Sequence, residues 1–142
     1  MQATTPLKLI LLACALAAAT AFADEAKLLD EARGVAMSVP PRLVAVLQEE
    51  IARGGPEGAI EVCRDKAPQL AKDASERTGW NIRRVSLKNR NAKAVPDAWE
   101  QAVLQDFDRR AAAGENPAAL EKGEVVAEGG AKTYRYMKAL PV

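Results

Sequence analysis

The sequence predicts an α+β domain in which helices come first and an antiparallel sheet follows. Two patterns support this prediction. Apolar residues recur at helical spacing between positions 24 and 79, and polar and apolar residues alternate at 80–87 and again at 125–140. Because strands and helices form separate runs, an antiparallel sheet flanked by N-terminal helices and one inserted helix fits better than a doubly wound sheet.

The N-terminus has the pattern of a secretory signal peptide, residues 1–23. One basic residue, Lys8, precedes an uncharged run from Leu9 to Thr20 that is too short to cross a bilayer, and Ala21–Ala23 is a typical cleavage site. Cleavage near Ala23 predicts a periplasmic or secreted product without a stable membrane anchor. The remaining residues, 24–142, suit a single domain.

Charge and composition exclude several classes of function. The chain has 20 basic and 19 acidic residues, so no net field favours binding to nucleic acid. It has no histidine, the commonest general base and metal ligand. No nucleophile can therefore be paired with a histidine base, and carboxylate pairs on helices are typical of solvated faces. We expect a protein that is not an enzyme.

Three helices are predicted before residue 80. Ser38–Pro41 should separate the first from the second, because proline is tolerated at the start of a helix but damages its interior. Pro68 should kink or split the third helix near Lys66. The predicted bounds are 24–39, 40–54 and 56–79.

The second half of the chain is predicted to contain three strands and one helix. The first strand is Trp80–Leu87, and the other two form a hairpin about Gly129–Gly130. Asp97 and Glu100 have the spacing of a capping box and should open the helix. The last strand would be an unpaired edge, which predicts that part of the sheet is missing. The apolar stripe of the helix is Trp99, Val103, Leu104 and Phe107.

Two sets of residues could carry chemistry, and each has a structural alternative. Cys63, the single cysteine after cleavage, either packs in the core beside Ile60 or ligates a soft metal such as haem iron. Met37 and Met137 are either further soft ligands or packing residues. A basic run either clamps a carboxylate or phosphate or forms a charged rim at a sheet edge. This run comprises Arg83, Arg84, Lys88, Arg90 and Lys93.

Four stretches resemble successive blocks of one family, the bacterial Tll-like haem domain: AIEVCRDKAPQLA, TGWNIRRVSLKNRN, VPDAWEQAVLQDF and YRYMKALPV. The resemblance covers the predicted mature chain. Members of the family are exported c-type cytochromes or sensory regions of membrane histidine kinases, and their fold is similar to PAS-type sensor domains. The resemblance therefore implies a PAS-like sheet. Its most specific motif is formed here by Arg84, Ser86, Arg90, Asn91, Pro96, Asp97, Trp99 and Glu100.

The resemblance also implies haem c and a set of haem contacts. In the family, the segment matching YRYMKALPV runs into a C-x-x-C-H motif that attaches haem, and this sequence stops where that motif is expected. We therefore expect a truncated chain in which covalent attachment of haem is not possible. By resemblance, Cys63 is the axial ligand that approaches the iron from the other side. Arg84 and Arg90 are the expected contacts of the haem propionates.

Two functions remain open at this point. The first is an exported haem-domain relative that acts in electron transfer or in redox or gas sensing, together with a redox or signalling partner. The alternative is a complete, haem-free PAS-like module that binds a small ligand or a partner protein, with Cys63 buried. Neither function involves nucleic acid.

Overall fold

The structure is a computed structural model that describes the backbone of residues 7–140 and the side chains of residues 23–140. Helices precede an antiparallel hairpin, which confirms the α+β class. Within the described residues, no helix combines the length and the apolar character needed to cross a bilayer. The elements are α1 (Leu7–Gly54), α2 (Pro56–Glu61), α3 (Ala67–Thr78), α4 (Ala98–Ala112), β1 (Glu121–Glu128) and β2 (Ala131–Lys138), with a π turn at Val62–Lys66 and 3-10 turns at Ala92–Ala94 and Pro117–Ala119.

The two ends of the sequence limit what can be compared with the predictions. Residues 1–6 and 141–142 lie outside the described residues, and side chains are not described before residue 23. The predicted signal peptide falls on this part of the chain and stays a prediction. The same holds for the last two residues of the YRYMKALPV segment.

α1 is one continuous helix of 48 residues, and it passes through Pro40 and Pro41. The predicted break at Ser38–Pro41 is therefore wrong. Proline has no N–H, so the helical bonds to the carbonyls of Ala36 and Met37 are lost, but its fixed φ fits a helix. The helix continues because α2, α3 and the hairpin all pack along it, and this packing outweighs a local cost of about 3 kcal/mol per proline.

The third predicted helix forms as α2 and α3, joined by the π turn Val62–Lys66. The Ala67 N–H donates to the Val62 carbonyl, five residues earlier, just before Pro68 enters the first turn of α3. The predicted interruption of the helix near Lys66 is present, and it takes the form of a π turn. Gly79 ends α3 with a φ of 76°, as expected for a C-cap glycine.

The buried side of α2 and the π turn differs from the prediction. Val62 is buried, whereas Ile60 is 72% exposed and Cys63 is exposed. The predicted apolar stripe through Ile60 and Cys63, and with it the core position of Cys63, is wrong. Gly58 sets the buried side, because a Cβ there would lie 3.0 Å from the Glu50 carbonyl oxygen of α1. Gly58 and Val62 are four residues apart and share that side, so Ile60 lies opposite.

Residues 80–86 have no regular secondary structure, so the predicted strand Trp80–Leu87 is wrong. Its backbone donors go to partners outside a sheet: the Ile82 N–H donates to Ser75 Oγ at 2.9 Å, and the Ser86 N–H donates to the Ala94 carbonyl at 3.1 Å. The described sheet therefore has two strands instead of the predicted three.

β1 and β2 form the predicted hairpin around Gly129 and Gly130. Both glycines have positive φ, 59° and 84°, the conformation that favours glycine in a two-residue turn. The register pairs Glu121 with Lys138 and Glu128 with Ala131.

The hairpin lies between two helices. On one face, Gly123 is so close to α1 that an added Cβ would lie 3.2 Å from Leu29 Cδ1. On the other face, Met137 packs against α4, because successive side chains of a strand point to opposite faces. The core between α4 and the hairpin consists of Val103, Phe107 and Leu120, with Trp99, Ala111, Met137 and Ala139 packed around them.

Candidate functional site

The residues predicted to contact haem are all at the surface. Cys63 is exposed in the π turn. Arg84 and Arg90 are exposed in the segment between α3 and α4, and neither forms an ion pair among the described residues. Within the predicted basic run, Arg83 is the residue that pairs with a described acid, Glu100.

Contacts along α1 place Cys63 far from the arginines. The π turn follows Gly58, which packs against Glu50 near the C-terminal end of α1. The segment that carries the arginines starts at Trp80, whose Nε1 donates to Glu31 at 2.9 Å. Glu31 and Glu50 are 19 residues apart on α1, which corresponds to about 28 Å of helix rise. The structure therefore does not bring Cys63 together with Arg84 and Arg90.

A different set of side chains does converge, at the start of α4. We call Arg83, Asp97, Trp99, Glu100 and Arg135 the acid–arginine cluster. Glu100 is only 6% exposed, and its carboxylate accepts hydrogen bonds from the Arg83 guanidinium, with Nε at 3.0 Å, and from the Asp97 N–H at 2.9 Å. Arg135 Nη2 lies 3.3 Å from the same carboxylate. These partners offset the cost of burying its charge.

Arg135 connects β2 to the cluster. Its guanidinium lies 4.5 Å from the centroid of the Trp99 ring and donates to Asp97 Oδ2 at 2.6 Å. Burial acts to lower the pKa of Arg135, but the bond to Asp97 and the nearby carboxylates outweigh it and raise the pKa. Burial acts to raise the pKa of Asp97, but hydrogen bonds from Arg135 and from the Glu100 backbone lower it. Both side chains stay charged near neutral pH, which suits a structural clamp better than a proton donor or acceptor.

Motif residues that carry the family resemblance have structural roles in this region. Asp97 and Glu100 form the predicted capping box, because the Glu100 N–H also donates to Asp97 Oδ1 at 2.9 Å. Trp99 Nε1 donates to Glu124 on β1 at 2.7 Å. Asn91 Oδ1 accepts from the Lys93 N–H at 2.9 Å and caps a 3-10 turn. The motif therefore specifies how the loop, α4 and the hairpin meet.

The sequence predictions missed the roles of Arg83 and Arg135. The resemblance pointed to Arg84, one position away, because the family motif was matched without knowing which side chains face α4. The alternation in β2 contained a usable signal. Arg135 shares a strand face with Met137, and an arginine on the core side of a strand predicts a buried acid.

A second polar contact that the predictions missed joins α1 to the hairpin. Arg33 Nε donates to Glu121 Oε1 at 2.9 Å, and the Tyr136 hydroxyl donates to Glu121 Oε2 at 2.7 Å. The bond from Arg33, helped by that from Tyr136, lowers the pKa of Glu121 from 4.5 to about 2 against the effect of burial. Burial and the bond to Glu121 raise the pKa of Tyr136. The contact fixes the first half of α1 on the sheet.

The described residues do not form a haem site by themselves. Haem requires an apolar pocket as well as an axial ligand, and Cys63 would supply the ligand alone. A cavity of about 90 Å³ next to the π turn is lined mostly by charged side chains, and no group of three or more metal-ligating side chains occurs among the described residues. The larger cavity, about 420 Å³, is an open cleft between α1 and α3 lined by Arg42, Leu70, Asp73, Glu76 and Arg77.

Comparisons with known proteins identify the family. Residues 10–142 match the family described as Tll0287-like. No curated protein and no solved structure matches the chain. The family match extends over the described helices, the acid–arginine cluster and the hairpin together. The chain therefore belongs to the Tll0287-like family.

Proposed function

We propose that this protein is an exported, non-enzymatic relative of haem-carrying domains that acts in electron transfer or in redox or gas sensing. The observation that carries the proposal is the family match over residues 10–142. The pattern of residues 1–23 supports export. The acid–arginine cluster supports a non-enzymatic role, since its charged groups are occupied in holding α4, β2 and the segment before them.

Haem c belongs to this proposal through a C-x-x-C-H motif, which the given sequence does not contain. When bound, haem would supply one-electron redox chemistry or a site for a gas. Within this chain, Cys63 would offer a thiolate to the iron, and Arg84 and Arg90 would offer charge to the propionates. Because Cys63 lies far from the two arginines, they do not line one common pocket in this arrangement.

The proposal can be tested by adding a C-x-x-C-H motif to the chain. The full chain is extended after Val142 with a C-x-x-C-H segment and expressed in a host that matures c-type cytochromes. The expected result is one covalent haem per chain, with an absorption spectrum that differs between the folded protein and the protein unfolded in urea. The matched control carries alanine at both added cysteines and should contain no covalent haem.

Replacement of Cys63 separates its role from that of the fold. If the thiolate ligates iron, Cys63→Ala in the extended chain changes the spectrum of the folded protein and leaves the unfolded spectrum unchanged. A haem whose spectrum is the same in the folded and unfolded protein would mean that the domain does not enclose it. The proposal of a haem-domain relative would then be withdrawn.

A haem-free binding module is the second candidate function. It is favoured by one observation, the open cleft in which Arg42 and Arg77 lie beside Asp73 and Glu76. Such a cleft offers both signs of charge to a small polar ligand or to a partner protein. This function requires that the unextended chain folds without haem. A cooperative thermal transition of the haem-free chain would support it, and an aggregated or unfolded chain would exclude it.

A further inference from the structure

The exposed side of α1 changes character along its length. Between residues 24 and 33, the exposed positions carry mostly charged side chains. Between residues 37 and 52, a band of exposed residues has no charge, and its largest members, Met37, Val44 and Ile51, are 57%, 49% and 40% exposed. We call this band the α1 stripe; it consists of Met37, Ser38, Pro41, Val44, Ala45, Gln48, Ile51 and Ala52.

The α1 stripe has the spacing of a helix–helix seam. Met37, Val44 and Ile51 are seven residues apart, and Pro41 and Gln48 lie between them at steps of four and three. This is the heptad pattern by which two helices pack side by side. α2 and α3 pack on another side of the same helix, so the stripe is without a partner among the described residues.

The α1 stripe is complementary to itself when reversed. Consider a second copy of α1 that runs antiparallel to the first, with the two-fold axis passing between Val44 and Ala45. Each residue of the stripe then faces another residue of the stripe in the other copy, so the whole set maps onto itself. A two-fold dimer requires this property of its interface, because both copies use the same patch. The facing pairs are Met37 with Ala52, Ser38 with Ile51, Pro41 with Gln48, and Val44 with Ala45.

Charge along one edge of the stripe favours the same arrangement. Arg42 and Glu49 are seven residues apart and therefore lie on one side of the helix. In the antiparallel pair, Arg42 of each copy lies within about one turn of Glu49 of the other copy, which gives two equivalent ion pairs. In a parallel two-fold pair this edge of the two copies would lie on opposite sides of the seam, so Arg42 would not reach Glu49. Arg42 has no ion-pair partner among the described residues, whereas Glu49 pairs with Arg53 of its own helix, so Arg42 of the other copy would join an existing exposed pair.

The polar atoms of the stripe are compatible with burial. Ser38 Oγ already donates to the Val35 carbonyl at 2.7 Å within its own helix. Gln48 would face Pro41 of the other copy, whose missing N–H leaves the Met37 carbonyl without its helical donor. The side-chain amide of Gln48 can therefore donate to the Met37 carbonyl of the other copy, which lacks its helical partner.

We infer that a second copy of this chain covers the α1 stripe in an antiparallel, two-fold dimer. This inference does not rest on the proposed function, because it does not involve haem, although Arg42 also lines the cleft between α1 and α3. One helix pair buries less than a standard interface of about 1,600 Å², so the dimer forms reversibly at about micromolar concentrations.

Sedimentation equilibrium of the full purified chain tests the dimer. A reductant is included so that disulfides between copies through Cys63 do not contribute. The expected mass rises from one chain to two between about 1 and 500 μM. Val44→Glu should raise the dissociation constant at least about tenfold, because it buries unpaired charges near the two-fold axis. The matched control is Val95→Glu, since Val95 is 50% exposed and lies outside the stripe; it should leave the constant unchanged.

Two further variants test the antiparallel direction. Arg42→Glu should weaken the dimer, and the double variant Arg42→Glu with Glu49→Arg should restore it. In a Cys63→Ser background, Ala45→Cys should form a disulfide between copies, because residue 45 lies next to the axis. Ala52→Cys should not, because the two copies of residue 52 are about 22 Å apart, beyond the reach of a disulfide.

Three results would overturn the inference. The first is a monomeric protein over the whole concentration range. The second is a dimer that Val44→Glu and Val95→Glu affect equally. The third is efficient cross-linking through Ala52→Cys, which would show that the helices run parallel. Circular dichroism of each variant establishes that it has folded.

Discussion

The Trp99 ring of α4 contacts Arg135 of β2, with 4.5 Å between the guanidinium carbon and the ring centroid. The same ring donates through Nε1 to Glu124 of β1, which lies directly opposite Arg135 in the hairpin. One tryptophan therefore binds both strands to the first turn of α4. This contact and the buried carboxylate of Glu100 hold the two layers together.

Trp99→Phe should destabilise the protein by about 1–3 kcal/mol, because it removes the hydrogen bond to Glu124 and weakens the contact with Arg135. Urea unfolding followed by circular dichroism measures the change. The control is Trp80→Phe, which also removes an indole bond to a glutamate, Glu31, but at an exposed contact. Trp80→Phe should lower the free energy of unfolding clearly less than Trp99→Phe does. Equal losses would contradict a special role for Trp99.

Glu100→Gln should lower the free energy of unfolding by about 2–3 kcal/mol, because the neutral amide leaves two arginines without their buried counter-charge. The loss stays below that of a fully buried pair because Arg83 is 42% exposed. Glu115→Gln removes the charge from an exposed pair with Arg110 and should have little effect. The hypothesis fails if both substitutions cost the same in urea unfolding.

Glu121 should make the stability of the protein depend on pH. Its pKa is about 2 in the folded protein against 4.5 as the ordinary value. Because the folded value is the lower one, the stabilisation is complete above the ordinary value and is lost as the pH falls towards the folded value.

The difference in unfolding free energy between the parent and Glu121→Gln should therefore be largest above about pH 5.5 and shrink steadily towards about pH 2. Tyr136→Phe removes one donor to Glu121 and so raises its folded pKa, which should make the total loss smaller and complete it at a higher pH in that variant. Urea titrations at several pH values measure both effects. A difference that stays constant with pH would show that Glu121 is not the titrating group.

Gly123→Ala should destabilise the hairpin by about 1–3 kcal/mol, because the added methyl group collides with the Tyr134 hydroxyl and presses on Leu29. Gly34→Ala is the matched control on α1, where an added Cβ meets nothing within 4 Å. That change should stabilise the helix by up to about 1 kcal/mol. Thermal unfolding of the two variants should shift in opposite directions, and a shift in the same direction would contradict the close packing at Gly123.

Local rules predicted much of the fold. The capping box at Asp97, the hairpin turn at Gly129–Gly130 and the interruption of the helix before Pro68 all depend on neighbouring residues, and all three are present. The predictions that failed depended on distant contacts. Pro40 and Pro41 would end an isolated helix, yet α1 is continuous through them because other elements pack along it.

The candidate site was harder to predict than the fold. Glu100 pairs with Arg83 and Arg135, which are separated from it by 17 and 35 positions in the sequence. No local pattern selects Arg83 over Arg84 as its partner. The face of Cys63 was mispredicted because it depends on the close approach of Gly58 to Glu50. A glycine within an amphipathic pattern could have indicated such an approach.

The prolines of α1 also have a mechanical consequence. Two adjacent rungs of the backbone ladder are missing between Arg33, which contacts the hairpin, and Glu50, which contacts α2. The bending stiffness of α1 is therefore lowest at this point. A bend of about 10° here would move the end of a lever about 20 Å long by about 3–4 Å. A bend at this point would rotate the hairpin relative to the π turn that carries Cys63.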